Sequence, residues 1–195
     1  MSGLDAWVRR GAVALLLAAL PPPVLAAPPA LLRTTLIVAE VERTAAFYRL
    51  LGFAPERDLG GPRSPDSPFP LDARSTRFRL LILASADPQS GRIGLLTFDG
   101  PAPPVAVTAR PRLGIGDMVF VIEVDDADVA YAALEAGGAR LVEKPFAYEM
   151  KRADGSVGRG RLFHVFDPDG RLIEVMAPAA RAAGAITPAS ELRNE

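Results

Sequence analysis

The chain has no cysteine and a single histidine, His164. Without cysteine there are no disulfides, thiolate metal sites, cysteine nucleophiles or lipid-bearing cysteine. The redox compartment stays open, since a cysteine-free chain suits any of them. One histidine cannot supply the pair that a two-histidine, one-carboxylate iron site requires. Charge of either sign is in short supply as an excess: 22 Lys and Arg against 23 Asp and Glu leave a formal net charge of -1. Nucleic acid binding demands a concentrated positive field, so no nucleic acid partner is expected. A bilayer span needs roughly 20 apolar residues, and the run Gly11 to Leu20 (GAVALLLAAL) is about half that. No glycine-rich phosphate loop, serine nucleophile elbow or HExxH motif occurs.

What is present begins with a targeting segment. Arg9 and Arg10 precede the apolar run, Pro21, Pro22 and Pro23 break it, and Val24-Leu25-Ala26 resembles a small-residue cleavage site before Ala27. A buried N-terminal helix suits three consecutive prolines poorly. Residues 1–26 therefore read as a signal peptide, and the mature protein is expected to be exported, periplasmic or secreted, with no stable membrane anchor. Removing Asp5, Arg9 and Arg10 moves the net charge from -1 to -2, which still implies no polyanionic partner. Hydrophobic residues at 49% and charged residues at 23% supply an ordinary globular core.

An internal repeat organises the remainder. Residues 33–53 (RTTLIVAEVERTAAFYRLLGF) and 119–139 (VFVIEVDDADVAYAALEAGGA) align at a shift of 86 positions, pairing Val38 with Val124, Glu40 with Asp126, Glu42 with Asp128, Ala46 with Ala132 and Gly52 with Gly138. Each copy opens with an alternating apolar segment, the mark of a half-buried strand. Acidic residues follow where a helix N-terminus favours negative charge, then an alanine-rich amphipathic helix, then a glycine suited to a left-handed C-terminal cap. Strand-like segments come after each helix: Arg77 to Ala84 and Arg92 to Phe98 in the first copy, Arg161 to Phe166 and Arg171 to Met176 in the second. Asp167-Pro168-Asp169-Gly170 between the last two is a hairpin turn signal. Gly60 to Pro70 reads as a loop, and Pro145 to Gly160, with its glycines, as either a mobile lid or a surface hairpin. The expected organisation is a signal peptide (1–26), a first module (27–100), a proline-rich linker (101–116), a second module (117–177) and a C-terminal tail (178–195).

FYRLLGF (Phe47 to Phe53), Glu123-Val124-Asp125-Asp126 and DPDGRLIEV (Asp167 to Val175) resemble signatures of the vicinal-oxygen-chelate superfamily of glyoxalases, bleomycin-resistance proteins and dioxygenases. The resemblance covers about residues 31 to 177. It implies an α+β fold of two tandem βαβββ modules forming a cup-shaped mixed sheet with helices outside and the ligand inside. Metal ligands of the family, carried over, fall on Arg33, Val119, Leu95 or its neighbour Gly94, and Glu174. Only Glu174 has a ligating side chain.

Strand alternation, taken by itself, sends Arg33, Thr35, Ile37, Val119, Val121 and Glu123 away from the helices. Arg33, Thr35, Val119 and Val121 from this face, Glu174 from the resemblance and Tyr148 from the Pro145–Gly160 segment are the candidate ligand-binding residues. Arg33 either approaches Glu174 in place of a metal's charge, binds a substrate carboxylate or phosphate, or points into water. Glu174 and Glu123 are the candidate acid–base pair. His164 is read as a hydrogen-bonded strand histidine, with metal ligation beside Glu174 as the alternative.

The function this supports is binding of a small organic molecule in the cup, without a metal or other cofactor, in the manner of the bleomycin-resistance branch. Members of that branch commonly pair, which would make a homodimer. Its rivals are a metal-dependent glyoxalase-like lyase, isomerase or dioxygenase using a divalent metal, and a non-catalytic interaction module.

Overall fold

A computed structural model describes residues 30–64, 66, 72–102 and 113–179. Residues 1–26, expected from the sequence to be a signal peptide, most of the expected linker and nearly all of the expected tail lie outside the described residues. The described residues from Leu31 to Ala179 form one compact unit.

The first module runs β1 (Arg33–Ile37), α1 (Val41–Leu50), β2 (Ala54–Pro62), β3 (Arg77–Ala84) and β4 (Arg92–Phe98). The second runs β5 (Val119–Glu123), α2 (Ala127–Ala136), β6 (Arg140–Leu141), β7 (Phe146–Lys151), β8 (Val157–Phe166) and β9 (Leu172–Pro178). The repeat is reproduced residue for residue in β1 and β5 and in α1 and α2. Both helices end alike, for a local reason. Gly52 (φ 87°) and Gly138 (φ 72°) take the left-handed conformation. The residue after each bonds back to the helix, Phe53 N to Tyr48 O and Ala139 N to Leu134 O, both at 3.0–3.1 Å. Their starts differ. Asp126 accepts from the amides of Asp128 and Val129 at 2.8 and 3.1 Å, whereas Glu40 makes no side-chain cap.

Two mixed sheets result, one of four strands in the order β1-β4-β3-β2 and one of five, β5-β9-β8-β6 with β7 also on β8. The first strand of each module pairs in parallel with its last, and every other pairing is antiparallel. The expected loop over Gly60 to Pro70 is overtaken at its start by β2, an edge strand whose Gly60, Gly61 and Pro62 pair with Arg79, Phe78 and Arg77. The Pro145–Gly160 segment forms a hairpin: β7 is laddered onto β8 from Phe146–Leu162 to Lys151–Val157.

No strand pairing joins the two sheets among the described residues, and the join is made by side chains. Leu36, Val38, Leu81, Leu83, Ile93 and Leu95 from the first sheet share one core with Ile122, Phe163, Val165, Ile173 and Val175 from the second, under Tyr48 and Leu134 of the helices. The helices meet closely enough that a side chain on Gly137 would run into Leu50.

A polar lock reinforces this joint. Asp167-Pro168-Asp169-Gly170 is the expected turn, with Gly170 at φ 88° and its amide bonded to Asp167 O. Its carboxylates also cross to the first module. Asp169 accepts from Ala39 N (3.0 Å) and Thr44 Oγ1 (2.8 Å), which serves the start of α1 where Glu40 does not. Asp167 accepts from the buried Tyr48 hydroxyl (3.3 Å) and from Arg171 (3.1 Å), while Arg171 also donates to Ile37 O. Burial, then the negative charge of Asp167, pushes the Tyr48 hydroxyl far above its ordinary range, so it serves as a donor at any physiological pH.

Candidate functional site

Alternation decides what each sheet shows on the side away from its helix. Leu36, Leu81 and Leu95 are core, so Thr35, Ile82 and Gly94 stand on the opposite face, joined in one row by the β1–β4 and β3–β4 registers. Leu95, the alternative to Gly94 for a carried-over ligand position, is fully buried on the helix side and is ruled out of that face. The next row is Ile37, Leu96, Leu80 and Leu59. In the second module the matching rows are Val121, Glu174 and His164, flanked by Glu123, Met176, Leu162 and Phe146 on one side and by Val119, Leu172 and Phe166 on the other. The repeat thus puts Glu174 where the first module has Gly94, and His164 where it has Ile82.

The face is apolar with few polar groups. Ile37, Leu59, Val119 and Val121 are 38–59% exposed, a cost in water that a binding surface offsets. Arg33 donates from Nε to Thr35 Oγ1 at 3.0 Å. Its stem lies over Gly94, where a Cβ would come within 3.0 Å of Arg33 Cδ and of Thr35 Oγ1. Glycine at this position is what lets the arginine fold across the sheet. No ion pair joins Arg33 to Glu174 among the described residues; each has its own neighbour.

The neighbour of Glu174 is His164. Its Nε2 is 3.3 Å from Glu174 Oε2, and its Nδ1 is 2.7 Å from Glu143 Oε1. The same Glu143 oxygen accepts the His164 amide at 2.7 Å. The alternation argument did not find Glu143, because it sits in the short connection between β6 and β7, where no periodicity applies. Glu123 pairs in register with Met176, one step along the face from Glu174. Tyr148 lies across Gly160, its hydroxyl 2.9 Å from where a Cβ there would be. The phenol therefore lies along the β7–β8 ladder. Arg140 stacks on Phe166, 3.7 Å from the ring centroid.

The four carried-over positions do not make a metal centre. Arg33 is a cation, Val119 and Gly94 have no donor atom, and the space at Gly94 is filled by the arginine stem. Among the described residues no group of three or more His, Cys, Asp or Glu gathers as a metal-binding set.

A family profile described as the glyoxalase/bleomycin resistance protein/dioxygenase superfamily matches residues 30–175. Among solved structures, a glyoxalase family protein from Bacillus cereus is similar at 19% identity, over 79% of this chain and 99% of that one, with a TM-score of 0.58. The trypanothione-dependent glyoxalase I of Leishmania major is similar at 20% identity, over 77% of this chain and 87% of that one, with a TM-score of 0.49. Glyoxalase I of Zea mays is similar at 17% identity, over 75% of this chain and 43% of that one, with a TM-score of 0.47. No curated protein matches significantly.

Proposed function

Because the chain belongs to the glyoxalase/bleomycin resistance protein/dioxygenase superfamily, we propose that it binds a small organic molecule on the helix-free face of its sheets. Binding would not run through the family's four-position metal centre, since three of the four positions lack a ligand atom. The observation that carries this reading is the set of part-exposed apolar side chains Ile37, Leu59, Val119 and Val121 on the helix-free faces of the two sheets, with Arg33 and Glu174 as polar groups on those faces. Small-molecule sites are mostly apolar, with a few placed polar groups.

Arg33 favours an anionic ligand. Among the described residues its guanidinium has a neutral hydroxyl, not a carboxylate, as hydrogen-bond partner, so a carboxylate arriving on this face meets a cation that no described carboxylate neutralises. Titration with aromatic carboxylates such as 2-naphthoate tests this. Saturable binding is expected, weakened by Arg33→Ala by about tenfold or more, the worth of one charge-assisted hydrogen bond. Equal affinity in the variant would remove Arg33 from the site.

Export is a separate proposal, supported by the basic pair Arg9-Arg10, the apolar run Gly11 to Leu20 and the small-residue site before Ala27. The native protein is expected to begin at Ala27, which N-terminal sequencing of protein from the producing cell checks. A mature chain that retains residues 1–26 would contradict it.

A further inference from the structure

We infer that the ligand's anionic head is a dianion of the phosphate-monoester class, held between Arg33 and Arg57 on the helix-free face of the first sheet. This rests on the small-molecule binding proposed for that face and adds Arg57 to its residues.

The strand registers place Arg57. β2 bulges between Pro55 and Arg57, after which Arg57 pairs with Ile82 and Asp58 with Leu81. Leu81 belongs to the core, and Asp58 accepts from Arg79, which also donates to Glu42 of α1. Asp58 therefore lies on the helix side, and its neighbour Arg57 stands on the opposite face. Thr35, Gly94, Ile82 and Arg57 make one row across β1, β4, β3 and β2. Arg33 joins that row at its other end, its stem over Gly94 and its Nε bonded to Thr35. Gly94 and Ile82 are the floor between the two arginines. Gly94 and Arg57 are two strand spacings apart, roughly 10 Å, a span in which an oxyanion fits with an arginine on either side.

Charge decides what fits there. Glu56, the bulge residue, spends both carboxylate oxygens on Arg92, at 2.7 and 2.8 Å. Those bonds hold its carboxyl below the ordinary range, and the charge of Arg57 is the smallest of the influences on it. Among the described residues no carboxylate forms a hydrogen bond with Arg33 or Arg57. The strands thus bring three guanidiniums to this face, those of Arg33, Arg57 and Arg92, against the one carboxylate of Glu56, an excess of two positive charges. A monocarboxylate neutralises one of them. A phosphate monoester carries about −1.5 to −2 near neutral pH, with three acceptor oxygens, and answers both. The guanidinium fork suits phosphate oxygens as it suits carboxylates.

The neighbouring rows set the rest of the ligand. Ile37, Leu96, Leu80 and Leu59 lie beside the arginine row, and Phe98 and Phe78 pair beyond them. A flat apolar body attached to the head would lie along these side chains.

The test compares 2-naphthyl phosphate, 2-naphthyl sulfate and 2-naphthoate by calorimetric titration of the full chain at mildly alkaline pH. The sulfate ester keeps the tetrahedral head and carries one negative charge fewer. The phosphate should bind at least about tenfold tighter than either, the worth of one charge-assisted hydrogen bond. Arg57→Gln should weaken the phosphate by about tenfold or more and the naphthoate by less than about threefold. Arg33→Gln should weaken both, and Arg49→Gln, on α1, neither. Equal affinity for phosphate and sulfate overturns the inference, as does an Arg57→Gln chain that binds the phosphate like the parent. In either case saturable naphthoate binding leaves the small-molecule reading standing. Failure of all three compounds to bind overturns both.

Discussion

Replacing Asp167 by alanine is expected to lower stability by about 3–5 kcal/mol, the cost of breaking a buried ion pair from one side. The Asp167 side chain is fully buried, and Arg171 beside it is only 15% exposed. Removing the carboxylate leaves the guanidinium without its counter-charge and the Tyr48 hydroxyl without its acceptor, in the joint between the modules. At roughly 2–4 °C per kcal/mol for a domain of this size, the melting temperature should fall by about 10 °C. Tyr48→Phe, which deletes one neutral donor and keeps the ring, should cost no more than about 1–2 kcal/mol. Chemical denaturation of both variants checks the pair. An Asp167→Ala chain as stable as the parent would mean that the turn does not lock the modules together.

The second large effect lies one residue from His164 and on the other side of the sheet. Phe163 is completely buried and packs edge-on against Tyr131, ring centroids 5.4 Å apart at 81°. Phe163→Ala should cost about 3–5 kcal/mol through lost burial and the cavity left behind. His164→Gln, at a half-exposed position on the helix-free face, should cost under about 1 kcal/mol. The contrast between adjacent residues reads the strand register directly, since a shift of one residue would exchange the two faces. Similar losses at both positions, measured by urea unfolding, would contradict the assignment of faces on which the site rests.

The parts of this fold that could be read in advance are those where local and global requirements coincide. β1, α1, β5 and α2 were legible because one apolar face per element writes a period into the sequence, and the repeat writes it twice. β3 and β4 were legible as runs with clear turn residues between them. β2 was not, since Glu56, Arg57, Asp58, Gly60 and Gly61 on an exposed edge strand follow no alternation. β7 was hidden for a similar reason, with one half-buried residue, Tyr148, among six.

The candidate site was half legible. Alternation placed Arg33, Thr35, Val121 and Glu123 on the helix-free face, and Glu174 came with the family resemblance. Glu143 carried no signal. The pairing of Arg33 with Thr35 was invisible as well, because it depends on the missing side chain of Gly94 in another strand. The module lock was masked by its own turn signature. Proline and glycine explain a hairpin at Asp167–Gly170 so well that nothing local asks for a second role for the two aspartates.

The central claim, a small organic ligand on the helix-free face, is tested most directly by mapping where one binds. Backbone amide shifts of the ¹⁵N-labelled protein should be followed during titration with 2-naphthoate. The expected result is saturable movement of Thr35, Gly94, Leu96, Val121 and Glu174, with the amides of α1 and α2 unmoved. No saturable shift with any member of a carboxylate and amine panel, or shifts confined to the helices, would contradict the account.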